Sequence, residues 1–289
     1  MKPQNPIRPA HLEFLLATGF SDFEHSPNTK IALHFAQKQF AEIRKGYGFK
    51  SKGSLLSLSI SKLQKNKHVT AGLSFPPHTS SGIANVCAFA DSCAETCVAF
   101  SGNGGFSQTQ RSRIAKLDFA IQHPAAFANL LWHELDDLQR KQGRKQIAVR
   151  LNTYSDLRWE RIAPQLFEDF PRINFYDYTK HTLRSRPEIW IPENYSLTYS
   201  VSEKTTPTEL AQANNAGRNL AVVVGVRSGK LSDGSYRPIQ KTWMGILTVD
   251  GDIRDDRHND PQNRVVILRR KHTMTPSHPM IQTAERLSK

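Results

Sequence analysis

Four short runs in the second half of the chain, QIAVRLN, INFYDYT, YSLTYSVS and NLAVVVGV, are apolar, of strand length, and separated by stretches of helical period. No other feature restricts the fold as strongly. Adjacent parallel strands need a crossover of a dozen or so residues, so strands alternating with helices imply a parallel sheet with right-handed crossovers. The near-continuous apolar run at 219–226 suits a strand buried on both faces.

The helical stretches are SQTQRSRIAKLDFAIQ, PAAFANLLWHELDDLQRKQG, SDLRWERIAPQLFEDF and TPTELAQANNAG. In the second, Phe127, Leu130, Leu131, Leu135 and Leu138 share one face, Pro124 opens the helix and Gly143 closes it. The third is read as one helix capped by Ser155 and kinked at Pro164. Upstream, NTKIALHFAQKQFAEIRKG reads as a helix capped by Asn28 or Thr29. The expected fold is α/β: a (β/α) barrel, complete or incomplete, with an N-terminal helical extension and a cysteine loop; an open doubly wound sheet is the alternative. Residues 1–54 form the helical and basic segment, 55–275 the α/β domain and 276–289 a C-terminal tail.

Functional residues of such folds sit at the carboxyl ends of the strands. Here those ends supply Arg150, Asp156, Tyr178 and Lys180. Strand alternation puts Tyr176, Tyr178 and Lys180 on one face, inward, and Phe175, Asp177 and Thr179 on the other.

All three cysteines, Cys87, Cys93 and Cys97, fall within NVCAFADSCAETCVAFSGNGG, spaced C-x5-C-x3-C. An odd number cannot pair fully within one chain, and such clustering suits metal ligation. A structural zinc ion takes four ligands, and the nearest histidines, His78 and His123, lack finger spacing. A 4Fe–4S cubane held by three thiolates keeps one iron for another ligand, whereas a 3Fe–4S cluster is fully ligated by three. The cubane is preferred. Small buried hydrophobes are the bland alternative for the same residues. The following SGNGG lets backbone approach a bulky core.

The net charge is +13, and no acidic residue occurs between Glu42 and Asp91. Within that gap Lys50 and Lys52 follow Tyr47 and Phe49, so lysines for phosphate and rings for base stacking point to nucleic acid; a solvated basic loop is the alternative. No run of 18 apolar residues is present and the N-terminus lacks a cleavage site. The expectation is a cytoplasmic protein without a membrane segment. The run DGDIRDDRHND fails the EF-hand pattern, and its Asp250-Gly251 reads as a turn between the strands GILTV and VVILRRK, with Arg254 and Arg257 pairing its carboxylates.

The cysteine loop, with VRLNTYSDLRWE (149–160), FYDYTK (175–180) and TVDGDIRDDRHND (248–260), resembles a mostly phage- and plasmid-borne family, the gene product 88-like proteins. The resemblance covers roughly residues 55–271. It implies a cysteine-bound cluster, a phage or mobile-element origin and a barrel related to that of radical S-adenosylmethionine enzymes. Those enzymes commonly carry C-x3-C-x2-C and a GGE-type segment. This chain has neither, which argues against S-adenosylmethionine binding.

The leading expectation is an iron–sulfur protein acting on or near nucleic acid, its cluster beside Arg150, Asp156, Tyr178 and Lys180. The alternatives are a radical or Lewis-acid enzyme with an open iron, and a zinc-stapled nucleic-acid-binding module.

Overall fold

The computed structural model describes residues 5–22, 30–60, 63–271 and 274–283. The chain opens with helices α1 (Pro9–Ser21) and α2 (Lys30–Gly46). Leu12, Leu16 and Phe20 of α1 repeat every four residues and form one buried stripe. The caps expected at Asn28 or Thr29 lie outside the described residues. Strands β1 (Leu56–Ser57) and β2 (Val69–Leu73) precede the cysteine loop; helices α3 (Ser107–Gln122) and α4 (Pro124–Gln142) and strand β3 (Ile147–Arg150) follow it. Helices α1 and α2 pack on α4 in the same core, so the N-terminal segment is part of the helical layer.

The stretch expected as one helix from Ser155 is two short ones, α5 (Trp159–Ile162) and α6 (Pro164–Asp169). Ala163, ahead of Pro164, leaves the helical region at φ −146°, because proline disfavours helical backbone in the residue before it. Ser155 caps nothing; its hydroxyl donates to Asn152 Oδ1 at 2.8 Å. The chain continues through β4 (Ile173–Thr179), β5 (Tyr195–Ser200), α7 (Pro207–Asn215), β6 (Leu220–Arg227), β7 (Thr242–Trp243), β8 (Ile246–Asp250) and β9 (Val265–Arg270). Thr206 and Glu209 form a capping box at the start of α7.

The nine strands form one sheet in the order β1-β2-β3-β4-β5-β6-β9-β8-β7. From β2 to β8 every pairing is parallel, while β1 and β7 join antiparallel at the two ends. The barrel expected from the alternation is not closed: among the described residues no ladder joins the two ends. Both edges are two-residue antiparallel strands, too short to template a further partner. Side-chain bonds span the gap instead: Lys65 Nζ donates to the Asp252 carbonyl and the Asp255 amide to Asn66 Oδ1, each at 2.8 Å. No described helix is long and apolar enough to cross a membrane.

Alternation divides the sheet into two faces. Ile147, Val149, Ile173, Phe175 and Leu197 enter the core beneath α1, α3 and α4, and Leu220, Val222 and Ile267 pack with Leu210 and Ala213 of α7. The other face carries Arg150 and Tyr176 and is crossed by residues 251–264. The turn read at Asp250-Gly251 is present, over residues 251–253, but it does not join the two strands as a hairpin. β8 and β9 run parallel, so they cannot form a hairpin, and the connection returns across the sheet, its 3-10 turn Arg257–Asn259 lying against β4 and β5.

The carboxylates of this crossover are tied to arginines. Asp255 pairs with Arg150 at 2.9 Å, Asp256 with Arg254 at 3.2 Å and Asp260 with Arg257 at 3.1 Å. Its His258 lies 5.0 Å from the His68 ring and 5.2 Å from the Tyr176 ring, by centroids. Burial, then His68, Arg254 and Arg257, push the His258 pKa down from 6.5 to about 4. The stability this contributes is fully present above pH 6.5 and is lost as pH falls through about 4, because the unfolded chain takes up the proton first. Urea titrations across that range are expected to show an acid limb that flattens in His258→Gln.

Candidate functional site

The cysteine loop is threaded onto the strand ends rather than hung from them. Cys87 forms an isolated parallel bridge with Asp156, whose amide donates to the Val86 carbonyl at 2.9 Å. Cys93 lies in the 3-10 turn Asp91–Ala94, and Cys97 immediately precedes the next one, Val98–Phe100. The glycine segment folds against the loop itself: a Cβ on Gly104 would stand 2.4 Å from the Ala99 carbonyl, and Arg113 Nη1 donates to that same oxygen at 2.7 Å. That close packing is what requires glycine there.

Cys87, Cys93 and Cys97 line one cavity of about 230 Å³ together with Arg150, Asp156, Tyr178 and Lys180. The structure therefore brings all seven residues to one place, at the carboxyl ends of β3 and β4. Their partners differ sharply. Arg150 is buried, paired with Asp255 and 3.7 Å from Asp177 Oδ1, and its guanidinium lies 5.2 Å from the Tyr178 ring centroid. Asp156 accepts from the Lys180 amide at 2.8 Å and faces Arg186 Nη1 at 3.5 Å. Both are committed within the protein. The Lys180 ammonium lines the same cavity as the thiols. Burial draws its pKa down, but Cys93, then Asp156, Cys87 and Cys97, more than offset that and raise it.

Burial pushes the Cys87 thiol up to about 12 and the Cys97 thiol up to about 11. Without a cationic core both remain protonated; a metal core displaces those protons when it binds. Among the described residues no three His, Cys, Asp or Glu side chains converge closely enough to hold a single metal ion. A cubane takes one thiolate per iron, so its ligands stand further apart than those around one ion. Three soft donors in one cavity beside a cation fit such an anionic core.

Several residues here were not legible as site components. Asn152 sets the turn that carries Asp156: its Oδ1 accepts from Ser155 Oγ, the Leu157 amide and Trp159 Nε1, while Nδ2 donates to the Leu157 carbonyl. Arg186 is fully buried between Asp156, Glu160 and Tyr195. Met274 and Met280 line the cavity from the C-terminal segment, where Ile281 bridges Val223 of β6. His78, already weighed from the sequence as the nearest upstream histidine, lines it as well, its amide donating to Cys87 Sγ at 3.5 Å. The Asn-x-x-Ser-Asp-Leu pattern at 152–157 was the one signal in the sequence for the first of these.

The rings offered for base stacking are engaged internally. Tyr47 Oη donates to Asp118 at 3.0 Å, and Phe49 lies under the Arg44 guanidinium at 4.2 Å. Lys45, Lys50 and Lys52 are exposed.

No curated protein and no solved structure matches the chain. A family model described as Gene product 88 matches residues 43–286, a span that includes the cysteine loop, the strand-end residues and the crossover. By that match, which takes in most of its length, the chain belongs to the gene product 88 family.

Proposed function

We propose that this protein binds an iron–sulfur cluster of the 4Fe–4S type through Cys87, Cys93 and Cys97, and that it acts on or near nucleic acid as the product of a phage or other mobile element. The observation that carries the reading is the cavity: the chain's three thiols line it together, with the Lys180 ammonium among them. When bound, the cluster supplies one-electron chemistry. The protein's own part is to orient and to balance charge. Asp156 registers the loop against β4, Lys180 offsets the thiolates, and Arg150 with Asp255 ties the crossover to the sheet. Thiols that share a cavity without converging on one point suit a multi-iron core better than a zinc staple.

Anaerobically purified protein is expected to be brown, with iron and acid-labile sulfide in equal amounts. Colourless protein with zinc, or with no metal after reconstitution, overturns the reading.

The nucleic-acid half of the proposal rests on the acid-free segment and its exposed lysines. With Tyr47 and Phe49 engaged elsewhere, phosphate contact is the mode left to it. Affinity for a mixed-sequence duplex is expected to fall steeply with salt, and Lys50→Glu with Lys52→Glu to reduce the log–log slope by about 0.9 for each lost phosphate contact. Absence of binding at low salt reduces the segment to a solubility feature.

A further inference from the structure

We infer that His78 is the fourth ligand of the cluster, through Nε2, so that the core is held by three thiolates and one imidazole and is closed to outside ligands. The inference rests on the cluster reading above. A cubane takes four ligands and the chain has three cysteines, so the last must be another donor.

The cavity lining offers few. Asp156 is held by Arg186 and the Lys180 amide, and Asp252 by Arg269 and Lys271. The Lys180 ammonium carries no lone pair. His78 differs from all of these. Its Nε2 is buried and makes no hydrogen bond, a condition that buried polar atoms rarely tolerate. The other ring nitrogen, Nδ1, lies 3.4 Å from Thr79 Oγ1, the kind of contact that fixes the tautomer of a ligating histidine.

The backbone also singles the residue out. His78 has φ +40°, a left-handed conformation uncommon outside glycine and asparagine, and its amide donates to Cys87 Sγ at 3.5 Å. One residue thus bonds a thiol sulfur through its main chain, carries an unpartnered ring nitrogen and lines the cavity of the three thiols. Phe100, three residues beyond Cys97, meets the ring edge-on at a centroid distance of 6.1 Å and limits its rotation.

The test compares wild-type protein, His78→Ala and His78→Cys, all full length and reconstituted anaerobically with iron and sulfide, with circular dichroism to verify folding. Pulsed paramagnetic resonance of the reduced wild type is expected to show a strong hyperfine coupling to a histidine nitrogen. His78→Ala is expected to lose that coupling and to decay to a three-iron cluster on brief exposure to air. His78→Cys is expected to keep all its iron, show no nitrogen coupling and have a more negative potential, since imidazole ligation raises the potential of a cluster. Unchanged coupling and iron content in His78→Ala overturn the inference and leave the cluster reading standing. A wild-type protein that takes up no iron and sulfide overturns both.

Discussion

Replacing Cys87, Cys93 or Cys97 singly with alanine is expected to abolish iron retention while leaving the fold in place. All three thiols are half-buried and none is bonded to another cysteine, so each can be shortened without opening a disulfide. Removing an outer partner of a metal ligand typically costs 10- to 100-fold in affinity, so removing a ligand is expected to cost at least about 100-fold. Iron and sulfide assays on desalted protein read the effect directly. A variant that keeps its full complement of both takes that cysteine out of the ligand set.

The second large effect is on stability. Arg186 and Glu160 are both fully enclosed and paired at 2.7 Å, with Tyr195 Oη 3.0 Å from the same guanidinium. Removing one member of a buried pair leaves a charge with no counter-ion, which costs about 3–5 kcal/mol. Arg186→Leu is expected to lower the free energy of unfolding by that amount, and the double variant Arg186→Leu with Glu160→Leu to recover much of it. Breaking the surface pair of Arg140 and Asp136 serves as control, with an expected change below about 0.5 kcal/mol. Denaturant titration separates the cases. Equal, small losses at both sites show that the interior pair is hydrated. Because Arg186 also faces Asp156, the strand-end partner of Cys87, Arg186→Leu is further expected to weaken iron retention.

What the sequence disclosed follows from how local each signal is. Helices α3 and α4 were legible to the residue, since apolar period, Pro124 and Gly143 all lie within the segment. Strands β3, β4, β5 and β6 were legible from their apolar runs. β2 was not: five residues, VTAGL, with a glycine inside and Pro76-Pro77 close behind, look like loop. Gly72 is there because a Cβ would meet Thr153 Oγ1 at 2.7 Å and Ile60 Cδ1 at 2.8 Å, contacts no local pattern reveals. Strand direction was equally hidden. A period of two does not say which way a neighbour runs, so Asp-Gly suggested a hairpin where the strands are parallel.

The site divides along the same line. The cysteines declare themselves by clustering, and Arg150, Asp156, Tyr178 and Lys180 by their place at strand ends. That Arg150 is an anchor depends on Asp255, 105 residues away, and that His78 has an unsatisfied ring nitrogen depends on the packed loop around it.

The crossover at 251–264 carries a consequence for how the molecule comes to exist. It joins Asp255 to Arg150 and to Asn66 across 105 and 189 residues of chain. Contacts of such separation cost loop-closure entropy before they give anything back, and form late. On the ribosome, the thiols emerge long before the segment that completes the face beside them. Until that segment arrives, Arg150 and Tyr176 lie open to water, and the cavity that the thiols line has no finished wall. Loading of the proposed cluster therefore belongs after release of the full chain, and a fragment ending before residue 250 is not a smaller version of this protein but one whose interior arginine has lost the closer of its two counter-charges.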